Sequence, residues 1–305
     1  MGCEGEGPGS GSFSPALSGV FETLGPGVIS LWRAPYGCDC LWPQALESSF
    51  SNMQPVEDFT TIESVFIRKR NALLLRGQFT PVFTDYYLHL MQHGIRHVAE
   101  LDGMLKDSLA MLALHLTARP WAETIAWTVN LRAPRVNLFV TGGSVSEEVA
   151  GRIFTEDVRE PDRNFFYSQT TAPGMGEPRT SMLEVDGRDP LRWISQFYDQ
   201  SEQRPARAFR FEDDHFALVA AQPDCDMEWF EALNEQEVSR IDETEETKLL
   251  ETRRFRFHCG CTLDKILPVL GGWRERLDEL FEDADTIKIQ CPRCAAGYRV
   301  TRDMI

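Results

Sequence analysis

The chain has 305 residues, a formal net charge of −16 and an apolar share of 42%. This length is enough for one large or two modest domains with a real core. The excess of acidic residues disfavours nucleic acid as a partner, because binding to phosphates needs a basic surface. We find no apolar run of transmembrane length and no pattern of a secretory signal, so we expect a cytoplasmic protein that does not enter membranes.

The first segment, residues 1–61, is rich in Gly, Ser and Pro and carries 7 acids and 1 base. It has no sustained periodicity, and this composition predicts a disordered or poorly ordered N-terminal extension. Cys38 and Cys40 form a CxC pair in this segment. No CxxC pair lies near them, so we interpret them as incidental thiols rather than as a metal or redox site.

Residues 62–221 follow with a mixture of helix and strand patterns. A strand pattern at 72–75 precedes a helix that begins at Thr80 and Pro81, while residues 98–117 are apolar nearly all round, as is typical of a buried central helix. Several strand patterns then occur without regular βαβ alternation. We therefore predict an α+β core over residues 62–221.

Three histidines of this core, His89, His93 and His97, are spaced by four residues. Such spacing can place side chains on one helix face and suggests a metal site. No carboxylate completes a ligand set, and Gly94 is expected to end the helix before His97. We interpret the three residues as surface histidines.

Residues 222–254 form the most acidic part of the chain. The stretch 212–251 contains 14 acids and 2 bases, and its one apolar cluster is centred on Trp229. So little apolar surface among so many like charges predicts an acidic linker of marginal order.

The last segment, residues 255–305, contains two cysteine pairs. Cys259 and Cys261 form a CxC motif, and Cys291 and Cys294 form a CxxC motif 29 residues later. Four thiolates match a closed tetrahedral Zn²⁺ site, and a segment this short needs such a staple. We therefore predict a small zinc-binding module, with Gly297 as the turn residue after the CxxC. Half of the eight cysteines lie in this pattern, which indicates a reducing compartment.

The cysteines allow other interpretations. The zinc can be purely structural in a module that docks another protein, or the CxxC can be the dithiol of an oxidoreductase. The CxC thiols are also well placed to close a short disulfide. His258 is adjacent to the motif, and we interpret it as a strand residue rather than a ligand. No nucleotide loop, catalytic triad or paired-carboxylate motif is visible, so we predict that the protein is not an enzyme.

Three segments of the chain together resemble the 33 kDa heat-shock chaperonin family, the redox-switched holdase chaperones of bacteria. The resemblance covers roughly residues 62–305 and implies an α+β core, a middle linker and a C-terminal zinc module. The first 60 residues have no counterpart in the family. Only 47 residues lie between Phe211 and Cys259, which is short for the family's return strands and full linker. An abbreviated linker would affect the heat-sensing part of the family's switch, but not its zinc switch. The three segments are the cysteine set followed by Tyr298, residues 197–203 (FYDQSEQ) running into Pro205 and Phe209, and residues 75–77 (LRG) before a helix.

The resemblance also implies a mechanism. Cys259, Cys261, Cys291 and Cys294 hold Zn²⁺ in the reduced, idle protein. Oxidants such as hypochlorous acid, or peroxide with heat, convert the CxC and CxxC pairs to disulfides, after which the module and linker lose order. The protein then binds unfolding client proteins without ATP, as a homodimer.

Overall fold

The computed structural model describes residues 58–119, 122–282 and 284–305. Its first half contains two long helices and a run of antiparallel strands, which confirms the α+β class. The elements of this half are β1 (Thr60–Ile67), β2 (Ala72–Gln78), α1 (Thr80–His93), α2 (Ala99–Thr117), β3 (Thr124–Leu131), β4 (Val136–Gly143), β5 (Glu148–Phe154), β6 (Phe165–Thr171), β7 (Arg179–Glu184) and α3 (Pro190–Phe197).

The second half contains shorter elements. None of the helices in the described ranges is long and apolar enough to cross a membrane. The elements are β8 (Ala206–Arg210), β9 (His215–Ala221), α4 (Met227–Ala232), α5 (Glu235–Ser239), α6 (Ile241–Thr244), β10 (Thr247–Phe257), α7 (Leu263–Leu270), α8 (Leu277–Phe281), β11 (Thr286–Gln290) and β12 (Gly297–Thr301).

Most of the predicted N-terminal extension, residues 1–57 with Cys38 and Cys40, lies outside the described residues. At its end, Thr60 and Thr61 already belong to β1. Strand β1 therefore begins inside the segment 1–61.

Ten of the described strands form one sheet in the order β7-β6-β3-β4-β5-β10-β1-β2-β9-β8. All neighbours are antiparallel except β5 and β10, which run parallel over two residue pairs, Glu148–Arg256 and Val149–Phe257. The backbone N–H of His258 extends this contact by donating to the Val149 carbonyl at 2.9 Å. Strand β10 therefore joins the two halves of the sheet, and its end leads directly into the CxC motif.

The predicted central helix is confirmed as α2, in which every residue from Asp107 to Thr117 is buried. Two glycines let this helix lie directly on β4 and β5. A Cβ atom at Gly151 would lie 3.0 Å from the Leu105 Cδ1 atom, and one at Gly142 would lie 2.8 Å from the Leu116 Cδ1 atom. These distances are shorter than an ordinary carbon–carbon contact, so a larger residue at either position would push the helix away.

The predicted acidic linker, residues 222–254, contains α4, α5, α6 and the first eight residues of β10. We call residues 227–244 the helical cover. The cover packs on the sheet face opposite α2, since Leu74 contacts the cover whereas its neighbour Leu75 belongs to the core around α2. The buried residues of the cover are Phe230, Leu233, Val238 and Ile241, and those beneath it include Val65, Ile67, Leu74, Phe209 and Val219. Whether this ordered stretch acts as a linker stays a prediction.

Residues 258–305, which we call the cysteine module, contain α7, α8 and the hairpin of β11 and β12. The prediction that Gly297 is the turn residue was wrong. Gly297 is the first residue of β12, and the left-handed backbone of the turn occurs at Ala295, with φ of 63°. The turn closes because the Cys291 N–H donates to the Ala296 carbonyl at 2.8 Å.

Candidate metal centre

The four cysteines of the two motifs come together at the edge of the core. All four sulfur atoms lie within 4.8 Å of one another. The Sγ atoms of Cys259 and Cys291 are 3.7 Å apart, and those of Cys261 and Cys294 are 3.5 Å apart. The structure therefore brings together every residue predicted as a ligand, and their role in binding a metal stays a prediction.

Local backbone geometry aims each pair of thiols inward. Between Cys259 and Cys261, Gly260 has a left-handed φ of 63°, which glycine adopts without strain. Between Cys291 and Cys294 the chain makes a tight turn, in which the Ala295 N–H donates to the Cys291 carbonyl at 2.9 Å. Cys291 and Cys294 are buried, whereas Cys259 and Cys261 are partly buried.

The spacing of the sulfurs fits a tetrahedral metal site. Four thiolates that bind one Zn²⁺ at about 2.3 Å lie about 3.8 Å from one another. The two shortest distances, 3.7 and 3.5 Å, are close to that value. Within the described residues, this is the group of cysteine, histidine or carboxylate side chains that could hold a metal ion.

Hydrogen bonds among the thiols govern their protonation. Hydrogen bonds from Cys259 and Cys294 lower the pKa of Cys291. The hydrogen bond with Cys291 raises the pKa of Cys259 to about 12, and the hydrogen bond with Cys259 raises the pKa of Cys294. The negative charge of the first thiolate therefore opposes ionisation of the next thiol, so four thiolates require a cation between them.

Neighbouring groups hold the sulfurs in place. The Tyr298 hydroxyl donates to the Cys261 carbonyl at 2.9 Å and lies 3.1 Å from the Cys261 Sγ atom. The backbone N–H of Arg293 donates to the Cys291 Sγ atom at 3.4 Å. Such outer contacts fix ligand orientation and stabilise a negative sulfur.

The histidines take different positions from those a metal site would need. The His258 Nδ1 atom lies 2.7 Å from the Glu148 Oε1 atom on β5, and this residue is not one of the clustered side chains. His89, His93 and His97 are partly buried rather than fully exposed at the surface, and His89 contacts the Cys294 carbonyl. The expectation of surface histidines therefore missed a contact with the centre.

The core contributes two side chains that the sequence analysis did not single out for the centre. Arg152 of β5 donates from Nη1 to the Cys291 carbonyl at 2.9 Å, and His89 of α1 lies 2.8 Å from the Cys294 carbonyl through Nε2. Both are far from the cysteines in sequence, so no local motif could have identified them. The cysteines also join the main apolar core, which includes Cys291 and Cys294.

Comparisons with known proteins agree on one family. A family model described as Hsp33 protein matches residues 210–301. A 33 kDa chaperonin from Proteus mirabilis (strain HI4320) is 25% identical over 281 residues, which cover 79% of this chain and 94% of the relative. A crystal structure of a 33 kDa chaperonin (heat shock protein 33 homolog) from Thermotoga maritima has a similar fold, with a TM-score of 0.62 at 12% identity over 80% of this chain and 96% of the other.

Proposed function

Because a family model, a curated relative and a solved structure all indicate similarity to the 33 kDa chaperonin family, we propose that the chain is a redox-regulated, ATP-independent holdase chaperone. The observation that carries this proposal is the cluster of four cysteine sulfurs within 4.8 Å of one another, placed where β10 enters the module. Thiolates bind metal and are also the species that oxidants attack, so one cluster can serve both purposes.

In the reduced state, Cys259, Cys261, Cys291 and Cys294 would hold one ion. Zn²⁺ would supply the cation that four thiolates require, and structural zinc contributes about 10 kcal/mol or more to the folding of small modules. The module's own packing is weak, since α7 has no buried residue. Few side chains of the described module are buried: Phe281, Cys291, Cys294, Ala295, Ala296 and Val300.

Oxidation would convert these thiols to two disulfides, Cys259–Cys261 and Cys291–Cys294. Each pair of thiolates would give up two electrons while one S–S bond forms and the zinc ion is released. One peroxide molecule would accept the two electrons with two protons from solvent and become two waters, or one hypochlorous acid would accept them with one proton from solvent and become water and chloride. Sulfurs bound in disulfides no longer offer thiolate ligands, so the module loses the interaction on which its fold depends.

The loss of module structure would reach the helical cover through β10. This strand begins three residues after α6 and ends two residues before Cys259. Release of β10 would free the cover and expose the sheet face with Val65, Leu74 and Val219, an apolar surface suited to unfolding proteins. We expect the clients to be bound by a homodimer, with no nucleic acid or membrane as partner, in the reducing cytoplasm.

The dithiol oxidoreductase is disfavoured by burial. Cys291 is 2% exposed and Cys294 is 1% exposed, whereas a catalytic thiol must reach a substrate disulfide. Chaperones of this family act by binding, so we do not propose an enzyme.

The test is light scattering of a heat-unfolded client without ATP, with reduced and oxidised protein at equal concentration. We expect suppression of aggregation by the oxidised form alone, together with zinc release and the loss of four thiols per chain from the module. Equal suppression by both forms would show a constitutive holdase. No suppression by either form would contradict the chaperone proposal and favour a docking module.

A further inference from the structure

The CxxC turn contacts the core through its main-chain carbonyls. Arg152 Nη1 donates to the Cys291 carbonyl and Arg152 Nη2 donates to the Gln290 Oε1 atom, each at 2.9 Å. The carbonyl of Cys294 can only accept, so His89 Nε2 carries the proton and donates to it at 2.8 Å. Two core side chains therefore form hydrogen bonds with the main-chain carbonyls at both ends of the CxxC turn, and neither bond involves a sulfur atom.

A contact within the core helps to position the Arg152 side chain. Its guanidinium group lies over the Phe154 ring, with 3.9 Å between the guanidinium carbon and the ring centroid. Its Nε atom is buried and has no hydrogen-bond partner among the described residues. The guanidinium group thus directs two of its nitrogens at the CxxC turn, and no carboxylate competes for them within ion-pair distance in the described structure.

We propose that Arg152 is a positioning residue that docks the CxxC turn on β5, with His89 as its counterpart on α1. This inference rests on the proposed function. It adds a contact through which the core would respond when the cysteine module loses its fold. A docked turn presents two carbonyls at the correct distance, whereas a module that has lost its fold does not. Breaking the contact should therefore undock the module while its cysteines can still bind metal.

The test is amide hydrogen exchange of the reduced, zinc-loaded full chain. In Arg152→Ala, amides of residues 286–301 should exchange at least about tenfold faster, because two hydrogen bonds from a charged group are lost. Arg152→Lys should restore part of the protection, since an ammonium group can donate to one of the two acceptors. Zinc content should stay at one ion per chain.

Matched controls separate docking from general stability. Arg163→Ala removes an exposed arginine that pairs with Glu184 away from the module, and it should leave exchange in 286–301 unchanged. His89→Ala should accelerate exchange in 286–301, whereas Met91→Ala, at an exposed position of the same helix, should not. The double variant with Arg152→Ala and Gln290→Ala should accelerate exchange by less than the two single effects combined, because both substitutions remove the same hydrogen bond.

The outcomes are decisive without any client protein. Unchanged exchange in Arg152→Ala would overturn the proposal, as would a uniform acceleration in α2 and the module together, which would show a merely structural role. A chain that undocks as expected but never suppresses aggregation would contradict the proposed function and leave the docking role intact.

Discussion

The helical cover and the cysteine module lie at opposite ends of β10, and they are held to the sheet in different ways. The cover buries four large apolar side chains against the sheet, including Phe230 at 3% exposure and Ile241 at 1%. No residue of α7 is buried, and the attachment of the module to the core includes three hydrogen bonds from Arg152 and His89. An oxidant does not change the packing of buried apolar side chains, whereas it reacts with thiols. Under the proposed function, the cysteine module would sense the oxidant and the helical cover would conceal the apolar sheet face.

The largest effect should come from removing half of the cysteine set. Cys291→Ser with Cys294→Ser should abolish zinc binding and unfold the module, because metal binding of about 10 kcal/mol or more is lost. Metal analysis and amide exchange of residues 258–305 measure both results. Cys225→Ser, which changes a cysteine outside the cluster, is the control and should keep its zinc. Retained zinc in the double variant would refute the predicted ligand set.

The next effect should come from the cover alone. Phe230→Ala should weaken the attachment of α4–α6 by about 3–5 kcal/mol, as for other buried phenylalanines. The reduced protein should then bind a hydrophobic dye and suppress client aggregation while its zinc content stays normal. Met227→Ala, at an exposed position of the same helix, should change little. Should Phe230→Ala release zinc instead, the cover and the module would not be separable as the comparison requires.

The fold could be predicted where the pattern is local. The apolar run at 98–117 identified α2, and the cysteine spacing identified the residues that cluster at the centre. The resemblance to the 33 kDa chaperonin family is also confirmed. Each of these signals depends on residues close together in sequence or on a motif of fixed spacing.

The order of the acidic stretch could not be predicted, because its partners are distant. Its carboxylates looked unpaired beside 2 bases within 212–251. In the structure they meet arginines of the turn after β1 and of β2: Arg68 pairs with Glu246, and Arg76 pairs with Asp242. The same limit applies to the centre, where Arg152 lies 139 residues before Cys291. Composition within a window does not reveal charge pairs formed across the sheet.

The smallest effect concerns the polar contacts that hold the cover. Arg70 reaches both of its ends, with Nη1 at 2.6 Å from the Asp226 Oδ2 atom before α4 and Nε at 3.0 Å from the Glu245 Oε1 atom after α6. The Asp226 carboxylate also accepts from the Trp229 N–H at 3.1 Å, and that hydrogen bond, followed by the one from Arg70, lowers the pKa of Asp226.

A carboxyl group whose pKa is lower in the folded protein stabilises it at pH values above the unfolded pKa, about 3.9 for Asp. This contribution is lost as the pH falls through the lower folded pKa, because both forms are then protonated. At pH 7, Asp226→Asn should therefore loosen the start of α4, whereas at pH values below the lowered folded pKa the variant and the natural chain should behave alike.

Fluorine NMR of 5-fluorotryptophan protein, with the Trp229 signal assigned from Trp229→Phe, measures this local change. Glu228→Gln is the matched control, since Glu228 lies in the same turn and forms no ion pair among those found in the described residues. A Trp229 signal that shifts equally in both variants would mean that total charge, rather than the contact with Arg70, holds this end of the cover. A signal that moves in Asp226→Asn alone would show that polar contacts fix the ends of the cover while apolar burial holds its middle.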